Sequence, residues 1–242
     1  MNLIIDAGNT AIKLAVFKKK EIVHLDTISQ NGFLEAIKKL FGQFPKINAA
    51  IVSSVGSLSE QEMKAVAVFC KLHELSHASK LPFKNSYALP QTLGVDRMAL
   101  VTAAYYHNPH HNHLVIDAGT CITYDMINDF DEYLGGAISP GVQMRYNAMH
   151  VQTAKLPRLE KTEILDFIGN TTENCMHSGV VNGVALELDG AINQYKARFK
   201  DLTVILTGGD AQFLCNRLKN TIFADSKFLL KGLNYLLEYN KH

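Results

Sequence analysis

The sequence predicts an α/β protein built from two related halves, and three observations carry that prediction. Short β-branched-rich runs alternate with stretches whose apolar residues recur at helical spacing. An apolar run ending in Asp-Ala-Gly occurs twice, with Asp6 and Asp117 111 residues apart in a chain of 242. A motif returning at half the chain length is what a duplicated domain leaves behind. Hydrophobic residues make up 47% of the chain and charged ones 19%, so it can bury a substantial core.

Composition excludes several classes. The net charge is +1, and with no long Lys/Arg face a nucleic-acid partner is not expected; Lys18-Lys19-Lys20 reads as a solvated hairpin turn. No apolar run reaches the roughly 18 residues of a membrane span. The N-terminus lacks a basic region and meets Asp6 at once, which argues against a signal peptide. Cys70, Cys121, Cys175 and Cys215 are scattered without C-x-x-C spacing and read as reduced thiols of a cytoplasmic protein. A dinucleotide oxidoreductase is poorly supported, because no G-x-G-x-x-G follows a strand, and no G-K-[S/T] P-loop is present.

The first half opens with a strand at Leu3-Ile4-Ile5, a turn at Ala7-Gly8-Asn9 and a second strand in which Ala11, Lys13 and Ala15 alternate with Ile12, Leu14 and Val16. Gly8 lets the backbone approach an anion, neighbouring N–H groups can donate to phosphate oxygens, and Asp6 can hold a hydrated Mg²⁺. Residues 21–28 supply a third strand. Phe33, Ile37, Leu40 and Phe41 mark a helix over 31–43, and Ala49 to Ser54 a buried strand. A helix follows from about Leu58 to Cys70, with Ser57 as N-cap and Glu60 closing a capping box. Residues 81–93 read as loop. Gly94-Val95-Asp96-Arg97 then opens a helix expected to run from Arg97 to about Tyr106. Asp at a helix start complements the dipole and caps N–H groups; the same acid and arginine could serve as base and anion binder, and the residues alone leave both open.

Residues 107–113 carry four histidines in seven positions. Without a carboxylate or Cys at ligand spacing, they read as a solvated linker, placing the halves at 1–109 and 110–242. The second half repeats the hairpin as Asp117-Ala-Gly-Thr120 and its flanking strands, with a third strand over 132–138. Ser139-Pro140-Gly141 is expected to start a helix towards His150. Residues 155–172 are irregular, and from Ser178 an apolar stripe through Val181, Val184, Leu188 and Ile192 predicts a long helix. A strand at 202–207, a helix from Ala211, a short strand near Ile222 and a C-terminal helix complete this half.

The repeated Asp-x-Gly turn, together with Val204-Ile-Leu-Thr-Gly-Gly-Asp-Ala211, resembles the actin-like kinase and ATPase superfamily. That resemblance implies a duplicated actin-like, ribonuclease H-like fold, two mixed-sheet halves flanking an ATP cleft. It makes the last segment an adenosine loop in which Gly208 and Gly209 leave room for the nucleoside. Five segments narrow the likeness: Asp6-Ala-Gly-Asn-Thr-Ala-Ile-Lys13, Gly94-Val-Asp-Arg97, Asp117-Ala-Gly-Thr120, Gly135-Gly-Ala-Ile-Ser-Pro-Gly141 and Thr207-Gly-Gly-Asp210. Together they resemble the type III pantothenate kinase family over almost the whole chain. Gly94–Arg97 and Gly135–Gly141 discriminate it from the wider superfamily.

The resemblance implies transfer of the ATP γ-phosphate to the primary hydroxyl of pantothenate, the first step towards coenzyme A. It makes Asp96 the proton acceptor. Asp6, Ala7, Gly8, Asn9, Thr10, Ala11, Ile12, Lys13 and Thr120 become ATP contacts, with Asp6 near Mg²⁺. Tyr87, Gly94, Val95, Asp96 and Arg97 become pantothenate contacts, and Asp117 the ligand of a monovalent cation, K⁺ or NH₄⁺. It also implies a homodimer in which a threonine near the Gly169 turn completes the neighbouring subunit's site. Thr172 fits that role best, but Thr171 stands where the family usually has Asn, so the two compete. Residues 225–233 match the family only loosely. The competing readings are an actin-like kinase with another acceptor and a non-catalytic regulatory relative.

Overall fold

The computed structural model describes residues 1–8, 11–54, 58–164 and 166–241. The chain divides into two compact units, Met1–Asn108 with Lys227–His242, and Pro109–Ser226.

The first unit is a mixed sheet in the order β3-β2-β1-β4-β5, from β1 (Asn2–Ala7), β2 (Ile12–Lys18), β3 (Glu21–Ile28), β4 (Ala49–Ser54) and β5 (Lys71–Glu74). β1, β2 and β3 form an antiparallel meander, and β4 and β5 join it parallel. Helices α1 (Phe33–Gln43) and α2 (Glu60–Ala67) link β3 to β4 and β4 to β5. Leu3, Ile5, Ala7, Ala50 and Val52 share one core with Phe33, Ile37, Leu40 and Val66. The strand period of two therefore turns Asp6 and Ser53 to the other face. A two-residue strand, β6 (Lys84–Asn85), and helix α3 (Val95–His107) follow.

The second unit contains β7 (His113–Ala118), β8 (Cys121–Ile127), β9 (Glu132–Pro140), α4 (Val142–Gln152), α5 (Thr172–Arg198), β10 (Thr203–Thr207), α6 (Ala211–Cys215) and β11 (Phe223–Ala224). Its strands run β11-β10-β7-β8-β9, with β7, β8 and β9 antiparallel and β10 and β11 parallel to β7. Order and direction repeat those of the first unit strand for strand, so the duplication read from the Asp-Ala-Gly motif is a duplication of topology. Leu114, Ile116, Ala118, Ile122 and Tyr124 pack with Val142 and Tyr146 of α4 and Val180, Val184 and Leu188 of α5. Asp117 again falls on the opposite face.

Several elements differ from the sequence reading. The capping box forms at Ser59 and Glu62: Ser59 Oγ accepts from the Glu62 N–H (3.3 Å) and Glu62 from the Ser59 N–H (2.8 Å). Both Ser57/Glu60 and Ser59/Glu62 fit the spacing, and Ser57 lies outside the described residues. The helix ends at Ala67 because the chain turns into β5. Helix α3 starts at Val95, capped by Gly94. Ser139 and Pro140 still pair with Ile122 and Cys121 in β8, so α4 waits until after Gly141. Helix α5 starts at Thr172, six residues before its apolar stripe, because Thr171 Oγ accepts from the Asn174 N–H (3.1 Å) and opens a helix whose first turns are exposed.

Helix α7 (Phe228–Asn240) belongs to the first unit rather than completing the second half. Asn2 Nδ2 donates to Asn234 Oδ1 across a buried 2.7 Å contact, and Tyr235 stacks on Tyr106 of α3 with ring centroids 4.4 Å apart. Its apolar period announces burial but not against which sheet.

Candidate active site

In the first unit the site is built on the end of β1. Asp6 pairs in register with Lys13 of β2 and with Ser53 of β4. It is only 9% exposed. Burial pushes its carboxyl up to about 6, Lys13 pulls it down, and the negative charge of Asp96 pushes it up again. That last effect places Asp96, in the first turn of α3, within electrostatic reach of Asp6. Asp96 Oδ1 accepts from the Arg97 N–H at 2.9 Å. A Cβ on residue 94 would lie 2.4 Å from Asp96 Oδ1, so Gly94 leaves the carboxylate its room. Arg97 is 5% exposed, and its guanidinium stands 5.9 Å from the centre of the Tyr87 ring, an orientation that favours a cation over an aromatic face. The structure thus brings Asp6, Lys13, Gly94, Asp96, Arg97 and Tyr87 into one unit on β1, β2, α3 and the loop before it.

The Gly8 N–H donates to Ala11 O at 3.2 Å, closing the hairpin, so this N–H is engaged within the turn. Asn9 and Thr10 lie outside the described residues. The repeat is one residue shorter: Ala7 pairs with Ile12, Ala118 with Ile122, and the Gly119 N–H donates to Cys121 O at 2.9 Å.

In the second unit three of the sequence motifs meet. Asp117 pairs in register with Thr123 and with Thr207. Gly208 has φ +97°, which L side chains adopt at a cost, and a Cβ there would lie 2.3 Å from Asp117 Oδ1 and 2.4 Å from Ala118 O. The Asp210 N–H donates to Ala118 O at 2.8 Å, and the Gly141 N–H to Thr120 O at 3.1 Å. Segments 117–120, 139–141 and 207–210 therefore form one constellation. The irregular stretch after α4 is tied to it by ion pairs, Lys161 with Asp210 and Arg217 with Glu163.

Thr172 sits at the exposed start of α5. A hollow of about 360 Å³ beside it is lined by residues including Asp166, Asn170, Asn174 and His177, but by neither Thr171 nor Thr172. The histidines of the linker separate: His107 ends α3, His113 begins β7, and His110 pairs with Asp131 at 2.6 Å. Among the described residues no group of three His, Cys, Asp or Glu could hold a metal by itself. A Mg²⁺ carried with a nucleotide needs less, one or two carboxylates besides phosphates, and the buried Asp6 fits that demand. A larger hollow of about 470 Å³, lined by Asn2, Lys20, Tyr106, Tyr235 and Lys241 among others, takes in none of the sequence-derived site residues.

Ser53 was not signalled by any motif. Its hydroxyl is buried and finds no hydrogen-bond partner among the described residues. The duplication could have found it, because it occupies in the first unit the place of Thr207 in the second.

Two mixed sheets of repeated topology, each ending its first strand in an Asp-Ala-Gly turn, define a duplicated actin-like fold. The chain is similar throughout to a solved glucokinase from an Antarctic psychrotroph (14% identity, TM-score 0.55, 98% of each chain covered). It is also similar to a Campylobacter jejuni structure carrying the provisional description of a Baf family transcriptional activator (25% identity, TM-score 0.65, 98% of each chain). A family profile described as "Type III pantothenate kinase" matches residues 2–194. Proteins of that name from Christiangramia forsetii and Flavobacterium johnsoniae are 48% and 46% identical over 241 and 239 residues, covering 100% and 99% of this chain and 99% and 98% of theirs. The chain belongs to the type III pantothenate kinase family.

Proposed function

We propose that this chain transfers the γ-phosphoryl group of ATP to the primary hydroxyl of pantothenate, giving 4'-phosphopantothenate and ADP on the route to coenzyme A. The observation that carries the reading is the grouping of Asp96 and Arg97 with Asp6 and Lys13 in one unit of a family member.

Asp96 takes the proton of the hydroxyl as its oxygen bonds to the γ-phosphorus and the bond to the β-phosphate oxygen breaks. A carboxylate suits this when it reaches the hydroxyl as attack begins. Phosphoryl transfer asks for little covalent help, so alignment and charge neutralisation supply most of the acceleration. Arg97 binds the carboxylate of pantothenate; its planar, permanently charged fork matches that group, and Tyr87, Gly94 and Val95 complete the contact. Residues 6–13 and Thr120 contact ATP. Asp6 is the carboxylate for the Mg²⁺ that accompanies ATP, which when bound offsets phosphate charge. Asp117 holds a monovalent cation, K⁺ or NH₄⁺.

The chain is further read as a cytoplasmic homodimer in which a threonine at the start of α5 completes the partner's pantothenate site. Thr171 spends its hydroxyl on the helix cap, which favours Thr172. No helix among the described residues is long and apolar enough to cross a membrane.

The test is ADP release from ATP and Mg²⁺, with and without pantothenate, in K⁺ and in Na⁺. Pantothenate-dependent release, greater in K⁺ and nearly abolished by Asp96→Asn with the fold intact, is the expected result. An Asp96→Asn enzyme retaining most of its kcat removes Asp96 from the base role. No release in either salt overturns the acceptor and leaves an actin-like kinase with another acceptor, or a regulatory relative of the kind the Campylobacter description names.

A further inference from the structure

Outside the motifs, a dense polar cluster of the second unit is centred on Glu187, midway along α5. Its Oε1 accepts from Ser139 Oγ (2.6 Å) and Tyr124 OH (3.1 Å), and its Oε2 from Arg145 Nη2 (2.6 Å). Arg145, in the first turns of α4, also donates from Nη2 to Ser139 Oγ (2.8 Å) and from Nε to Pro140 O (2.9 Å). Five hydrogen bonds thus gather β8, the end of β9, α4 and α5 on two charged side chains, each about a quarter to a third exposed (23% and 34%).

What they grip is the segment that rests on the second Asp-Ala-Gly turn. Ser139 and Pro140 are the two residues of β9 paired with Ile122 and Cys121, directly after that turn. The next residue, Gly141, donates to Thr120 O, and a Cβ on it would lie 2.2 Å from Gly119 O and 2.4 Å from Thr120 O. Nothing separates the residues held by Arg145 and Glu187 from the backbone of residues 119 and 120. We propose that Arg145 and Glu187 are positioning residues that hold the Asp117–Thr120 turn, through Ser139, Pro140 and Gly141, in the shape that takes nucleotide phosphates.

This rests on the reading of that turn as a phosphate contact. The electrostatics agree with it. Burial alone would raise the Glu187 carboxyl, but the hydrogen bonds from Ser139, Arg145 and Tyr124 outweigh burial and hold it below the usual carboxylate range. The anion is therefore the resting state, and it fixes the guanidinium rather than leaving it to swing. A fork with two anchors is suited to this task, since Lys would supply the charge without the bond to Pro140 O and the planar geometry.

A plain staple between α4 and α5 would show the same contacts, so the experiment separates the two roles. ADP and adenosine are titrated calorimetrically against the full chain and its Glu187→Gln and Arg145→Lys variants, with circular dichroism confirming the fold. Adenosine has no phosphates and samples only the nucleoside contacts. Each variant is expected to weaken ADP binding by about tenfold, the effect of one charge-assisted hydrogen bond, with adenosine affinity changed by less than about twofold. Equal losses for ADP and adenosine, or none, overturn the proposal. Should either charged variant fail to fold, Ser139→Ala removes a single hydroxyl of the same network and must still weaken ADP selectively. A wild-type chain that binds ADP no better than adenosine overturns the phosphate turn and the proposal together. The titrations contain no pantothenate, so a failed acceptor in the kinase assay leaves their outcome independent.

Discussion

Asp6 and Ser53 stand opposite each other in the parallel register of β1 and β4, a buried carboxyl beside a buried hydroxyl. The second unit repeats the pair as Asp117 and Thr207. In the first unit the cost of burial is visible in the Asp6 carboxyl, which is raised to about 6 by desolvation first, against the pull of Lys13 and with the push of Asp96. A carboxyl whose folded pKa lies above its unfolded value contributes fully below the unfolded pKa, and that contribution is lost as pH rises through the folded one. The free protein should therefore lose stability between about pH 4 and pH 7. Asp6→Asn removes the buried charge and should be more stable than wild type at pH 8 by up to about 3 kcal/mol, with the advantage gone near pH 4. The same variant should lose kinase activity. Urea unfolding at the two pH values checks the first part, and an Asp6→Asn chain no more stable at pH 8 than at pH 4, relative to wild type, contradicts it.

Gly208 is held by backbone as well as by the Asp117 carboxylate. An added Cβ would meet Ala118 O at 2.4 Å, and the φ of +97° strains any L side chain. Gly208→Ala should cost about 2 kcal/mol, lowering the melting temperature by about 4–8 °C for a chain of this size, and should weaken ADP binding. Gly209, where a Cβ meets nothing within 4 Å, should accept Ala with little change in melting temperature. Equal melting temperatures for the two variants would show that the contact at Gly208 relaxes freely.

Much of this fold was legible because its signals are local. The Asp6 and Asp117 turns, the alternating strands beside them and the apolar periods of α1 and α5 are patterns of neighbouring residues, and the repeat spacing carried the duplication. The discriminating segments at 94–97 and 135–141 carried the family. What sequence left unread depends on partners distant in the chain. Helix α7 has a clear apolar stripe, but its attachment to the first unit rests on contacts such as Asn2–Asn234, 232 positions apart. β5 is a four-residue strand with a single apolar residue, Lys71-Leu-His-Glu74, defined by pairing with β4 rather than by its own residues. Arg145 and Glu187 carry no motif at all, and only the folding of α4 against α5 makes them a pair. The opposite error came from reading Ser139-Pro140 as a helix start: proline has a fixed φ but no preference strong enough to override continued pairing with β8.

The role assigned to Asp117 makes a salt-dependent prediction. Asp117 lies against Gly208 and in register with Thr123 and Thr207, an oxygen-rich setting that suits a hard cation. Asp117→Asn keeps the shape of the side chain and removes its charge. The ratio of kcat/KM in K⁺ to that in Na⁺ is expected to lie above one in the wild type and should fall towards one in the variant. A ratio unchanged by the substitution would assign cation activation to another group.

The dimer proposal is tested by mixing two defects. Thr171 uses its hydroxyl to cap α5 through the Asn174 N–H, so Thr171→Ala should cost about 1 kcal/mol of stability and act on the fold. Thr172 follows it at the exposed first position of the helix, and Thr172→Ala should raise KM for pantothenate with little effect on melting. If Thr172 serves the partner's site while Asp96 serves its own, the two sites of an Asp96→Asn/Thr172→Ala heterodimer are unequal. One carries both defects and the other neither. Co-refolding inactive Asp96→Asn with Thr172→Ala should therefore restore wild-type KM for pantothenate in the mixed species. Mixed dimers, verified by affinity tags, that show only the raised KM of the Thr172→Ala parent would place Thr172 and Asp96 in the same subunit's site.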